Sequence, residues 1–175
     1  VRDAWVEIQR NRKWGFRWAE GTSSTTAGKS KYTKVELNIG LGADINPKKI
    51  FLTVGTDVKE VYIKPWETVN RQQKLFPRTG TPNVATLNPS GDLVFYPSPD
   101  DSYQFQYEYF KEPLFLTNNE DIPDFPSKWH KAIVWKALEN YAREQGKEWQ
   151  GLYQASIRNF NAIYNEMLDQ LLGPI

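Results

Sequence analysis

Tyr103, Phe105, Tyr107 and Tyr109 alternate with Gln104, Gln106 and Glu108, and no other stretch narrows the choice of fold as much. Successive side chains of a strand point to opposite faces, so the four rings share one face and the polar groups the other. That is the pattern of a half-buried antiparallel strand. A strand from Leu93 to Tyr96 and a Pro97-Ser98-Pro99-Asp100-Asp101 turn precede it, and together they predict a hairpin. An aromatic face of this kind has to be covered. The cover expected is a helix over 126–144, in which Trp129, Ile133, Val134, Ala137, Leu138 and Tyr141 recur at helical spacing.

The remainder fills in around this centre. Val1, Ala4, Trp5 and Ile8 make one face of a short amphipathic helix over 1–13, after which Trp14, Phe16 and Trp18 alternate as an extended segment would. Lys31 to Leu37 also alternates like a strand. Ile50 to Val54 and Val58 to Ile63 flank Gly55, Thr56 and Asp57, which predicts a hairpin. Asn70 to Pro82 is polar and holds Pro77 and Gly80, so it reads as a surface excursion. In the last helix Tyr153, Ile157, Phe160, Tyr164, Met167 and Leu171 step by four and three, a seam for another helix. The expected class is α+β: a short N-terminal helix, antiparallel β-hairpins in the middle, and a C-terminal αα-hairpin packed on the sheet. One domain over 1–175 is expected, divided into a helix at 1–13, a β-rich region at 16–111 and a helical pair at 126–172.

Charge and composition remove several functions. Lysine plus arginine number 22 and aspartate plus glutamate 21, so a net charge of +1 supplies no global drive toward DNA or an anionic membrane. The chain has no cysteine, which rules out disulfides, thiol nucleophiles and thiolate metal sites. Gly28-Lys29-Ser30 ends as a phosphate-binding loop does, but the glycine that motif needs at position 23 is Ser23, and a strand pattern follows where a helix should open. The single histidine, His130, has no second histidine or nucleophile beside it and reads as a packing or hydrogen-bonding residue. Asp100, Asp101, Glu120, Asp121 and Asp124 could supply the paired carboxylates of a glycosidase, yet turn and cap chemistry accounts for each of them. Arg10, Arg12, Lys13 and Arg17 interleave with Trp14, Phe16 and Trp18, a mixture that can join phosphate contact to base stacking. They are the candidate DNA or partner contacts, beside the plainer reading of a core-facing aromatic set with a solvated basic rim.

Three blocks, in this order, resemble the head-tail adaptor or connector proteins of tailed bacteriophages. The first is Ala4-Trp5-Val6-Glu7-Ile8-Gln9 with Trp14-Gly15-Phe16-Arg17-Trp18 and Thr25-Thr26-Ala27-Gly28. The second is Gly91-Asp92-Leu93-Val94-Phe95-Tyr96-Pro97 with the tyrosine strand through Phe110. The third runs from Asp121-Ile122-Pro123-Asp124-Phe125-Pro126 into Trp129-His130-Lys131-Ala132-Ile133-Val134-Trp135. This resemblance implies a structural virion protein with no catalytic residue, cofactor or metal. It implies a ring of about twelve copies at the neck of the virion, assembled in the host cytoplasm, that joins portal to tail and extends the DNA channel. The implied partners are further copies of the chain, the portal protein, a tail or further connector protein and, transiently and without sequence preference, packaged DNA; no membrane is involved. Arg143, Glu144, Arg158 and Asn159, on the polar faces of the paired helices, are the candidate inter-subunit contacts. The alternative function is a carbohydrate-binding or other tail-associated β-module, and a muralytic enzyme comes third.

Overall fold

Between Trp18 and Glu112 the chain folds as two four-stranded sheets that share one core. The computed structural model describes residues 1–118 and 120–172; Asn119 and residues 173–175, parts of the expected domain, lie outside the described residues. The strands are β1 (Trp18–Ser24), β2 (Lys31–Tyr32), β3 (Asp44–Val54), β4 (Asp57–Glu60), β5 (Tyr62–Ile63), β6 (Val84–Leu87), β7 (Leu93–Tyr96) and β8 (Gln104–Phe110). One sheet has the order β1-β8-β3-β4 and is antiparallel throughout. The other has the order β2-β7-β6-β5, with β5 and β6 parallel.

The aromatic strand is the middle of its sheet, between β1 and β3. Phe105 and Tyr107 are buried, as their parity predicts, but their cover is the second sheet of the same unit. Phe95 on β7 meets Phe105 edge-on at 5.1 Å, and Tyr32 on β2 meets it at 5.7 Å. The Trp129 helix, expected to lie over this face, buries Trp129 in the other core instead. Two flat pleated faces match each other across a sandwich, so the hairpin-rich middle of the chain needs no helix to close it. Glu108 departs from its parity too and is buried. A register shift between Asn46 and Ile50 on β3 brings Asn46 Nδ2 within 3.1 Å and Lys49 Nζ within 3.4 Å of its carboxylate oxygens.

Several local expectations are corrected here. The strand predicted over 31–37 stops at Tyr32, because Glu36 folds the chain back by accepting from the Thr33 amide and hydroxyl at 2.9 and 3.0 Å. Leu37 and Ile39 then anchor that turn in the core. The predicted 50–63 hairpin forms around Gly55, whose φ of +63° suits the turn. Its second run, however, divides between the sheets as β4 and β5, with Val61 buried at the switch. The polar excursion over 70–82 is overlapped by a helix at Trp66–Leu75, which follows Pro65 and carries Glu67 in its first turn.

The other unit comprises Val1–Arg17 and Pro113–Ile175. In chain order the helices are α1 (Arg2–Asn11), α2 (Trp66–Leu75, in the β-rich unit), α3 (Lys131–Gln145) and α4 (Gln150–Leu171), with α3 and α4 joined as a hairpin through Gly146 at φ +86°. Trp5, Ile8, Trp14, Phe125, Trp129, Ile133, Phe160 and Met167 make the core of this unit. Trp14 forms an antiparallel bridge with Leu172 and Trp18 opens β1, but Phe16 between them is not extended as expected. A 3-10 turn over Gly15–Arg17 stacks Phe16 on Trp5 at 5.8 Å and on Phe125 at 5.6 Å, while Trp14 Nε1 donates to the Ile8 carbonyl at 2.6 Å. Burying flat rings against each other outweighs the extended alternative. Gln9, fully buried, ties α1 to the distant segment that begins at Pro113: its amide N–H donates to the Leu114 carbonyl and its amide oxygen accepts from the Leu114 N–H, both at 2.8 Å.

Candidate assembly surfaces

Helix α3 is turned differently from its expected phase. Its buried side chains are Ala132, Ile133, Lys136, Glu139 and Ala142, and Val134 and Tyr141, expected in the core, are exposed. A charged cluster explains the turn. Lys136 Nζ lies 3.0 Å from Glu7 of α1 and 3.1 Å from Glu139, Asn140 Nδ2 donates to Glu7 at 3.2 Å, and Arg143 Nη2 donates to Asn140 at 2.9 Å. Burial works against the Lys136 ammonium, but hydrogen bonds to Glu7 and Glu139 outweigh it and hold its pKa above 10.5. Burial likewise works to raise the Glu7 carboxyl, and the bonds from Lys136 and Asn140 prevail, holding it below 4.5. Sequence reasoning missed this cluster. Its signal is an i,i+3 Lys–Glu pair beside Ala132 and Ala142, small residues that let another helix come close.

The candidate contacts divide by exposure. Arg10, Arg12 and Lys13 are exposed, whereas Arg17 is buried and its Nη1 donates to the Gln9 carbonyl at 2.8 Å. Arg17 therefore braces α1 and leaves the exposed basic set. Arg143, Glu144 and Arg158 are exposed and Asn159 is half-buried. Around Arg158 the outer face of α4 is polar, with Gln154, Asn161 and Asn165 also exposed.

The remaining motifs resolve into local bracing. Gly28 sits at φ +77° in a turn, Lys29 pairs with Glu36, and β2 follows. The Lys29 ammonium, with the Thr33 N–H and hydroxyl, holds the Glu36 carboxyl down to about 2. A ring nitrogen of His130 lies 2.9 Å from the Phe125 carbonyl. Asp100 accepts from the Tyr103 hydroxyl at 2.7 Å, and Asp101 accepts from the Ser102 N–H at 2.7 Å. Asp121 accepts from the Thr117 and Asn118 amides, which hold its carboxyl below the ordinary value. Among the described residues no three metal-ligating side chains cluster, and no helix is long and apolar enough to cross a membrane.

The model of one family, described as the SU10 adaptor protein, matches residues 1–172. The chain belongs to that family, a family of phage head-tail adaptors. No curated protein matches it.

Proposed function

We propose that copies of this chain close into a ring, of about twelve, at the neck of the virion, where it joins portal to tail and extends the DNA channel. Residues 1–175 act as one adaptor subunit in this reading, with no catalytic role, and assemble in the host cytoplasm. The observation that carries it is the family match, which runs through both units of the chain over residues 1–172. Arg143, Glu144, Arg158 and Asn159 supply contacts between neighbouring copies, and further surfaces meet the portal and a tail or connector protein. Packaged DNA has to slide past, so Arg10, Arg12 and Lys13 make transient, sequence-independent contacts that weaken with salt.

Mass measurement and particle imaging of the purified protein, with and without portal, test the reading. A portal-bound ring is expected, with lower yield when Arg143 and Arg158 are both reversed in charge. A chain that stays monomeric with portal present and binds polysaccharide instead would replace the ring with a tail-associated module.

A further inference from the structure

The two sheets end in β1, β4, β2 and β5, and three of these edges are guarded. β2 and β5 are two residues long, and β4 is four, with Asp57, Lys59 and Glu60 exposed along it. Short edges and edge charges keep other strands from pairing. β1 has neither device: it runs seven residues beside β8 without a register shift and contains no lysine or proline. The ladder also fixes which of its backbone groups point outward. The Thr25 N–H donates to the Tyr103 carbonyl at 2.8 Å, and these two residues stand opposite each other one step beyond the Ser24–Gln104 pair. Hydrogen-bonded pairs alternate along an antiparallel ladder, so Ser23, Gly21 and Ala19 bond to β8. Ser24, Thr22 and Glu20 turn their N–H and C=O groups to the open edge, and all three residues are exposed. Among the described residues these outward groups have no partner.

Three donors and three acceptors alternating at strand spacing are complementary to the backbone of another strand. A typical interface holds about 10 direct hydrogen bonds, so this edge by itself offers more than half that number. Charge then selects the strand. A cleft of about 90 Å³ opens beside the edge, lined by Glu20 and Thr22 and reaching Lys49 and Glu108. Lys49 is paired with Glu108 at 3.4 Å, whereas Glu20 has no ion pair among the described residues, so the unbalanced charge there is negative. A second copy of β1 fits this edge poorly. The antiparallel register that pairs all seven residues is centred on Gly21 and sets the two Glu20 side chains diagonally on one face, where like charges repel. We propose that β1 is a docking edge for an extended segment of a different protein, added as a fifth strand of the sheet, with a lysine or arginine facing Glu20. This contact uses none of the candidate contacts between copies or with DNA, and it holds whether or not the copies form a ring.

Titration of the full chain with a capped heptapeptide, Thr-Val-Thr-Lys-Thr-Val-Thr, up to millimolar concentration tests this by amide exchange and NMR shifts. The peptide is expected to protect the Glu20, Thr22 and Ser24 amides and to leave those of β4 unprotected. Glutamate in place of its lysine weakens binding about fivefold, and Glu20→Lys in the chain reverses that preference. The same peptide N-methylated at its lysine and both valines does not bind, because those nitrogens face β1. Thr22→Pro removes an outward N–H that β8 does not use, a position where an edge strand tolerates proline. It abolishes the protection while the melting temperature holds; should that variant not fold, the Glu20→Lys reversal carries the test. Equal protection along β4, or equal binding of the N-methylated peptide, shows general adhesion and overturns the proposal. So does an absence of binding at millimolar peptide. Protection of β1 that rises with the concentration of the chain alone overturns it in favour of a second copy. Ring formation on the portal is read separately by mass, so either reading can fail without the other.

Discussion

Lys136 is the residue on which the helical unit turns. Its ammonium lies between Glu7 on α1 and Glu139 on its own helix, and both Lys136 and Glu139 are buried. Removing the cation alone leaves the Glu139 carboxylate desolvated and unpaired. Lys136→Met is expected to cost about 3 kcal/mol, and Lys136→Met with Glu139→Met to recover most of that, because apolar pairs replace buried ion pairs at little cost. Urea denaturation followed by tryptophan fluorescence checks this, with Trp5, Trp14 and Trp129 all in the affected core. The same cluster sets a pH dependence. Glu7 is depressed on folding, so its contribution is full above 4.5 and is lost as pH falls through its folded value. Lys136 is raised, so its contribution is full below 10.5 and is lost as pH rises through its folded value. The stability difference between the wild-type chain and Lys136→Met should therefore be widest between these limits and shrink at both ends. A difference that stays constant from acid to alkali would show that charge is not what Lys136 supplies.

Among the elements, β8 shows how sequence parity becomes packing. Its neighbour β1 places Gly21 directly opposite Tyr107, and the Tyr107 ring lies across that glycine to reach the Leu37 carbonyl at 2.8 Å. A Cβ on Gly21 would stand 2.4 Å from Tyr107 Cζ and 2.6 Å from its hydroxyl oxygen. Gly21→Ala is therefore expected to destabilise the sandwich by about 1–3 kcal/mol. Tyr107→Leu in the same chain should relieve the clash, so the double variant loses less than the two single losses added together. Thermal melts of the three variants measure it.

How far the elements were legible followed from whether burial alone decided them. The alternation at 103–109 and the β3–β4 hairpin were readable because period and turn chemistry agreed with the side chains buried. Helix α2 was not, since Val69 is its one buried residue and a run such as Asn70-Arg71-Gln72-Gln73-Lys74 has helix formers but no apolar period. The phase of α3 was misjudged for the opposite reason. An apolar count cannot anticipate a helix that buries Lys136 and Glu139 beside Ala132 and Ala142. At the candidate surfaces, Arg17 was indistinguishable in sequence from Arg10 and Arg12. Only its bond to the Gln9 carbonyl takes it out of the exposed set.

At the scale of the molecule, the chain forms one unit from a continuous segment and the other from its two ends. Trp18–Glu112 includes every strand among the described residues, and its core runs from Tyr32 through Ile50 and Phe95 to Tyr107 with residues of that segment. The aromatic contacts at its centre, Tyr32 to Phe95 at 5.8 Å and Phe95 to Phe105 at 5.1 Å, are likewise internal. A segment that supplies both layers of its own sandwich satisfies the requirement for an independent domain, whereas a single hairpin does not. The excised fragment 18–112 is accordingly expected to unfold in one cooperative transition and to protect the amides of β8, which like β3 is paired on both sides. Hydrogen exchange on the fragment, compared residue by residue with the full chain, tests this. Protection lost throughout β8 would mean that the sandwich borrows stability from residues outside 18–112. Protection kept in β8 and lost only at the edge strands β2 and β5, each two residues long, would place the limit of the fold at its edges and leave its core autonomous.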